Sequence, residues 1–498
     1  MSTRSRAAAR IWRARRPRTR GDRAYAGYLV VLVAVVVVVP TVRAIWLGAV
    51  NPGMRAALAS PAMPGAVALV VAVLWAGALM GGRERGPALR APFPTYALAV
   101  SDLSRWDAFG GALLRGGAVV VALTTGAAGV VGGVLLAHGV AGPLGAVGFA
   151  LAGALVGVIA TVAWLGGQAA PRVAAVVAVG ILTVAMAGVV VPIPFAPWGW
   201  AAGAYPVDGT SGTSLAVVAL AALAVGLTSA VPAMMSRLSL AVLVGQAMRW
   251  DAARDHAAIL DVGAASAAYQ RFPRLGRRIC AVRPAGGPST MFLFRDAVGA
   301  LRTPGRLLLG VGAAVTAAVL VTVAFAPATP GWLLGAIAGV LIFMGLGPVT
   351  DGVRHAASVA SGTVLYGVSD ERLLASHLLF PVVAVVVVML AAALVGASVL
   401  GVGSLAPAMS SLVLGMLSLI TRVGVALKRA LPSALLAPIP TPIGDFGAAV
   451  RLAWALDAIL LSALAGVAAV LVFQAPALLV AVGGALLAVP VFRWRARL

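Results

Sequence analysis

Long apolar runs alternate with short polar stretches along the whole chain. By hydropathy the runs cover approximately residues 26–47, 64–82, 116–138, 144–166, 173–191 and 214–235, and then 307–326, 332–347, 381–400, 406–426, 450–473 and 477–492. At a rise of about 1.5 Å per residue, runs of this order of length are expected to cross roughly 30 Å of hydrocarbon as helices. The runs are continuous, not alternating in twos, which excludes a transmembrane β-barrel. The pattern predicts an all-α polytopic membrane protein of about twelve transmembrane helices. It divides into a basic N-terminal stretch (1–25), a first six-helix half (26–235), a polar linker (236–306) and a second six-helix half (307–498).

Two polar stretches break the pattern at equivalent places, 86–115 and 347–381. Each follows the second span of its half and opens with a Gly-Pro pair, Gly86-Pro87 and Gly347-Pro348. Each then carries Val-Ser-Asp with arginine close behind: Val100, Ser101, Asp102 and Arg105, then Val368, Ser369, Asp370, Glu371 and Arg372. Serine followed by aspartate ahead of an apolar run has the chemistry of a helix N-cap. Ser101-Asp102 is therefore expected to cap a helix over 103–114, and Ser369-Asp370 one over 371–379. A capped helix between two spans is a rigid knob on which a second protein can push.

The linker supplies two more helices. Leu240, Leu243, Ala247 and Trp250 have helical spacing, predicting an inward extension of the sixth span. In 289–306, Met291, Phe294, Val298 and Leu301 share one face, as an interfacial helix ahead of the seventh span requires. Residues 7–12 suit the same part before the first span. The order of interfacial helix, two spans, polar loop and four spans thus occurs twice. Six spans per half give both halves the same orientation and a pseudo-twofold axis along the membrane normal.

Composition narrows the class. With 61% hydrophobic and 10% charged residues and a mean hydropathy of +1.04, the chain cannot clothe a soluble domain of 498 residues. The formal charge of +23 does not point to nucleic acid, because the arginines sit in the short segments between spans and at the termini. With both termini inside, the outer segments carry only Arg43 and Arg55, the separation that positive-inside topology demands. The single cysteine, Cys280, excludes an intrachain disulfide. The single lysine, Lys428, excludes a Walker A motif, which needs Gly-Lys-Ser/Thr.

Candidate chemistry is sparse. Asp457 is the one carboxylate well inside a span, and Arg422 and Arg451 lie near inner helix ends. Asp457 is either the partner of an arginine on a neighbouring helix or a substrate or gating contact. In the long outer segment 192–213, Trp198, Trp200 and Tyr205 are either headgroup-level anchors or parts of an outer gate. His138, His256, His355 and His377 have no metal spacing. Gly153 with Gly157, and Gly335 with Gly339, have the spacing of close helix contacts. No catalytic motif is present, so no enzyme site and no cofactor are expected in this chain.

The layout resembles the permease subunits of ABC-2-type exporters in their fused twelve-span bacterial form. The segment 295–310, RDAVGALRTPGRLLLG, is similar to their elbow helix leading into a span. The segments 368–381, VSDERLLASHLLFP, and 100–115, VSDLSRWDAFGGALLR, are similar to their coupling segments. The resemblance implies a separate ABC ATPase, a homodimer carrying ATP and Mg, that docks at Ser101, Asp102, Arg105, Ser369, Asp370, Glu371 and Arg372. It implies export of an amphipathic or hydrophobic compound, such as an antibiotic, peptide or lipid, across the bacterial plasma membrane. The short outer segment 474–476, set against the long 192–213, departs from a symmetric outer gate. A secondary, ion-coupled transporter and a membrane-embedded lipid-linked transferase are the alternative classes.

Overall fold

A computed structural model describes residues 63–190, 196–206, 210–258, 260–270, 287–326, 329–360, 367–429 and 444–496, with scattered positions before and between them. The expected first span, 26–47, and the interfacial helix at 7–12 lie outside the continuously described residues. The chain divides into two compact units, 1–255 and 256–498.

Apart from a two-residue antiparallel pairing of Pro440–Thr441 with Gly444–Asp445, the described residues build helices and turns. Ten of these helices are long and apolar enough to cross a membrane. The chain therefore has the make-up of a polytopic helical membrane protein, in which helices satisfy their own backbone where no water can. Ten of the expected spans after the first fall on those ten helices in the expected order, with 450–473 and 477–492 among them. The expected span at 173–191 contributes a shorter apolar stretch, Pro171–Ala185.

In the first unit, α1 (Met63–Glu84), α3 (Arg105–Ala137), α4 (Pro143–Ala169), α5 (Pro171–Val190) and α7 (Thr210–Ser229) are the long helices, with short α2 (Pro92–Val100), α6 (Pro197–Gly203) and α8 (Val231–Ser236) between or after them. Proline in the first turn starts α2, α4 and α6, where its missing N–H costs no hydrogen bond. The centre is α4, which packs against α1, α3 and α7. Two glycines of α4 make this possible. A Cβ on Gly153 would meet the Thr124 carbonyl oxygen at 2.8 Å, and one on Gly157 would meet Val121 Cα at the same distance. The polar helix α9 (Leu240–Ala258) is not an extension of the sixth span. Arg237 to Ser239 break the chain after α8, and α9 starts afresh.

In the second unit, the interfacial helix expected at 289–306 is α11 (Pro288–Leu301), and Thr303-Pro304 turns the chain into α12 (Pro304–Ala324). Next come α13 (Gly331–Gly345), a single tight turn at Gly347–Val349, α14 (Asp351–Val359), α15 (Asp370–Leu400), α16 (Leu405–Ala426), α17 (Phe446–Val470) and α18 (Pro476–Arg495). A short helix α10 (Val262–Ala267) precedes them. The closest crossing is α13 on α17, where Gly335 and Gly339 face Ser462 and Gly466. A Cβ at Gly339 would collide with the Ser462 carbonyl, and one at Gly466 with the Gly335 carbonyl. With no water to expel inside a bilayer, such backbone proximity is what holds helices together.

Gly339→Ala is accordingly expected to force α13 and α17 apart, lowering stability by about 1–3 kcal/mol. Gly129→Ala on α3, where a Cβ meets nothing within 4 Å, is expected to be neutral or mildly stabilising, since alanine favours a helix more than glycine does. Thermal unfolding of the two variants in detergent checks the contrast.

Candidate functional site

The polar groups gather where the second span of each unit ends. In the first unit α1 stops at Glu84 and the chain turns at Gly86-Pro87. A helix end in an apolar setting leaves carbonyls without partners, and two buried glutamines take them up. Gln246 Nε2 donates to the carbonyls of Gly82 (2.9 Å) and Arg83 (3.1 Å), while its Oε1 accepts from Gly86 N–H (3.0 Å) and from Gln168 Nε2 (2.9 Å). Gln168 clamps Ala88, accepting from its N–H (3.1 Å) and donating to its carbonyl (3.3 Å). Both amides are 1% exposed. A side chain at Gly86 would collide with Gln168.

The turn delivers the chain to α2. Thr95, fully buried, donates to the Arg90 carbonyl at 2.9 Å. The outward face of α2 is apolar: Phe93, Tyr96 and Val100 are all more than half exposed. The cap lies three residues later than the sequence suggests. Ser104, not Ser101, is the N-cap of α3. It accepts from Asp107 N–H at 3.1 Å and donates to Asp107 Oδ2 at 2.9 Å. Ser101 instead donates to the Leu98 carbonyl at 2.9 Å, closing the end of α2. The helix expected over 103–114 is not a separate knob; it is the start of the 33-residue α3. Arg105 bends back to the Ala99 carbonyl (2.7 Å) and fastens α2 to α3. Asp102 is exposed.

In the second unit the same backbone positions are held by a different group. Arg422, on α16, donates through Nε to the Phe343 carbonyl (2.7 Å) and through one terminal nitrogen to the carbonyls of Phe343 and Met344. Phe343 and Met344 precede Gly347 by four and three residues, as Gly82 and Arg83 precede Gly86. The guanidinium also stacks on the Phe343 ring. Beyond the turn, Arg306 binds Asp351 with both terminal nitrogens, and Arg354 adds a 3.8 Å contact. Ser369 caps α15, accepting from Arg372 N–H at 3.4 Å. Here the cap falls where the sequence places it, but again the capped helix is a long one, running to Leu400. Glu371 and Arg372 are exposed on its first turn, and Asp370 is half-buried.

Sequence reasoning missed the pair behind this cap. Asp296 on α11 and His377 on α15 lie 2.6 Å apart with almost no exposure, under the ring of Phe292. Gly352 leaves room for them, since a Cβ there would strike Asp296. His355 stands edge-on to His377 at 6.2 Å. Burial, then the positive charge of Arg295 and the second imidazole, hold His355 below the ordinary imidazole range against the opposing pull of Asp296.

Comparison with protein-family models, with curated proteins and with solved structures gives no match. The chemistry of the chain must be read from its own residues.

Asp457, on α17, is a paired carboxylate. Lys428 Nζ lies 2.7 Å from its Oδ1, and a terminal nitrogen of Arg493, on α18, lies 2.6 Å from its Oδ2. Lys428 also donates to the Trp454 carbonyl and sits over that indole, while Arg493 donates to the Gly424 carbonyl at 2.7 Å. The hollow beside the carboxylate is about 10 Å³, at the lower limit for one water. Arg451 is not in this cluster; it donates to the Leu435 carbonyl at 3.1 Å.

Trp198 and Trp200 pack from α6 against the core of the first unit. Tyr205, just after α6, is buried, meets Phe149 edge-on and donates to the Leu58 carbonyl at 2.8 Å. Burial pushes its hydroxyl up to about 12. Phe149 lies near the N-terminal end of α4, whereas Gln168, which clamps the Gly86 turn, lies at its C-terminal end. Among the described residues no group of histidine, cysteine and carboxylate side chains is placed to hold a metal.

Asp457→Asn leaves two cations facing each other without a counter-charge and is expected to cost on the order of 3 kcal/mol. Lys428→Met, which keeps the Arg493 pair, should cost less in the same thermal assay. An unfolded chain protonates His355 more readily than the folded one as pH falls through about 6.5. The stability contributed by the neutral ring is therefore full above that pH and is lost on acidification. His355→Gln should flatten this acid limb of the stability curve measured between about pH 7 and 5.

Proposed function

We propose that this chain is the transmembrane permease subunit of an ATP-driven exporter of the ABC-2 type, in the bacterial plasma membrane with both termini cytoplasmic. In this reading twelve spans form two six-span repeats. A separate ATPase hydrolyses ATP and pushes on the loops after the second span of each repeat. The cargo is an amphipathic or hydrophobic compound.

The observation that carries the reading is the recurrence of one assembly in both units. A second span ends at Gly-Pro, a nine-residue helix follows (α2 and α14), and a serine then caps a span of more than thirty residues (α3 and α15). The packing partners recur as well. In each unit the second span lies on the fourth and fifth, and both the third and the sixth lie on the fourth. A short helix fastened at its base by buried hydrogen bonds transmits a push to the spans on either side without bending, as a mechanical coupling element must. The two short helices differ in chemistry. α2 turns Phe93, Tyr96 and Val100 outwards, whereas α14 buries Val353, Ala356 and Ala357 and turns polar residues out. An ATPase engaging both meets two unlike surfaces.

The test is co-purification of the full chain with an ATPase encoded beside its gene. Asp102→Asn, Glu371→Gln and Arg372→Gln together alter exposed side chains and leave the caps intact. They are expected to lower the retained ATPase, or its stimulation by the permease, by roughly tenfold, the loss expected when rim charges that orient a partner are removed. Undiminished stimulation, or the lack of any neighbouring gene with a Walker A motif, overturns the reading.

A further inference from the structure

A cleft of about 280 Å³ opens beside the Gly86-Pro87 turn in the first unit. It is lined by Arg85, Arg90 and Arg115, by the indoles of Trp164 and Trp250, and otherwise by apolar residues and glycine, with no carboxylate in its wall among the described residues. Each arginine is held in place by the backbone or by a ring. Arg90 Nε donates to the Ala108 carbonyl at 3.0 Å, Arg115 Nε donates to Gly111 at 2.9 Å, and Arg85 stacks on Trp250 at 3.3 Å. Trp164 Nε1 donates to the Arg85 carbonyl at 2.6 Å. The nearest acid in sequence, Glu84, faces Arg249 at 3.9 Å. For Arg90 and Arg115 one N–H of five is committed to a carbonyl, and the rest of each fork remains for an anion.

The surroundings say which anion. Arg115 stands ten residues into α3, immediately before the apolar run 116–138, and tryptophans favour the level where headgroups meet hydrocarbon. Along the same face of α3, Val119 and Leu123 follow Arg115 at four-residue steps and are 59% and 69% exposed. A cationic cleft that opens onto an exposed apolar helix face matches an amphiphile with an anionic head and a hydrocarbon tail.

We propose that this cleft is a binding site for an anionic phospholipid, with the headgroup phosphate held between Arg90 and Arg115 and an acyl chain lying along Val119 and Leu123. Burial and the charge of Arg115 hold Arg90 below the ordinary guanidinium range. A bound phosphate relieves this repulsion, so the unliganded cleft is a strained arrangement of like charges. The site is independent of any ATPase.

Native mass spectrometry of the full-length protein, released from detergent with phosphatidylglycerol or phosphatidylcholine added, tests the proposal. Phosphatidylglycerol should be retained roughly tenfold or more over phosphatidylcholine. The double variant Arg90→Gln with Arg115→Gln should lose that preference, as expected for two cations at a lipid surface. Ala112→Glu places a carboxylate in the cleft wall while both arginines keep their backbone bonds. It should abolish the preference even if the double variant fails to fold. Arg172→Gln, at an exposed arginine outside the cleft, should leave it unchanged. Equal retention of the two lipids, an undiminished preference in Ala112→Glu, or complete displacement of the lipid by millimolar inorganic phosphate overturns the proposal.

Discussion

The second span of each unit ends inside protein, and its last carbonyls must find donors there. Much else follows from that constraint. A buried carbonyl left without a donor costs about 1–3 kcal/mol. The first unit answers with two interlocked amides, Gln246 and Gln168, the second with the guanidinium of Arg422. The amide arrangement is neutral and uses every donor and acceptor of Gln246. The guanidinium brings a charge, and the residues around it are correspondingly ionic, with Arg306, Asp351 and Arg354 at the same turn. Fixing these carbonyls fixes the Gly-Pro turn, and the turn in turn sets where α2 and α14 begin.

Away from these ends the helices are held by closeness. Gly153 and Gly157 let α3 ride on α4, and Gly335, Gly339 and Gly466 let α13 and α17 meet backbone to backbone. Two carboxylates among the described residues are matched: Asp457 meets two cations on two other segments, and Asp296 meets His377. The exposed arginines cluster at span ends, where their stems lie along apolar surface and their heads reach water.

Spans and caps differ in how far they can be read from sequence. Long apolar runs leave little choice of structure, so ten expected spans lie on apolar helices, although α3 and α15 begin well before the runs that mark them. The cap before α3 lies three residues beyond the expected one, although the spacing of Ser104 and Asp107 marks it. Ser104 has Asp107 three residues on and closes a reciprocal pair with it, whereas Ser101 has Ser104 there and turns back to Leu98. The glutamine clamp and the Asp296–His377 pair were not legible, because the partners lie about eighty residues apart in sequence and nothing local marks them. An amide at the end of an apolar run, as at Gln168, is the one hint, since lipid has no use for it. Asp457 left two readings open, and geometry decides which groups face it. No count of charges along the chain could have assigned Lys428 to it in place of Arg451.

Lys428 carries the only side-chain amine in the sequence, and that amine is shut between Asp457 and the Trp454 indole. Burial lowers its proton affinity while the carboxylate resists. Acylating dyes and amine cross-linkers attack the neutral, accessible amine, so the closed triad shields the one lysine they could modify. Labelling at this position therefore reports the parting of α17 and α18 from the end of α16, with a chromophore that needs no engineered cysteine.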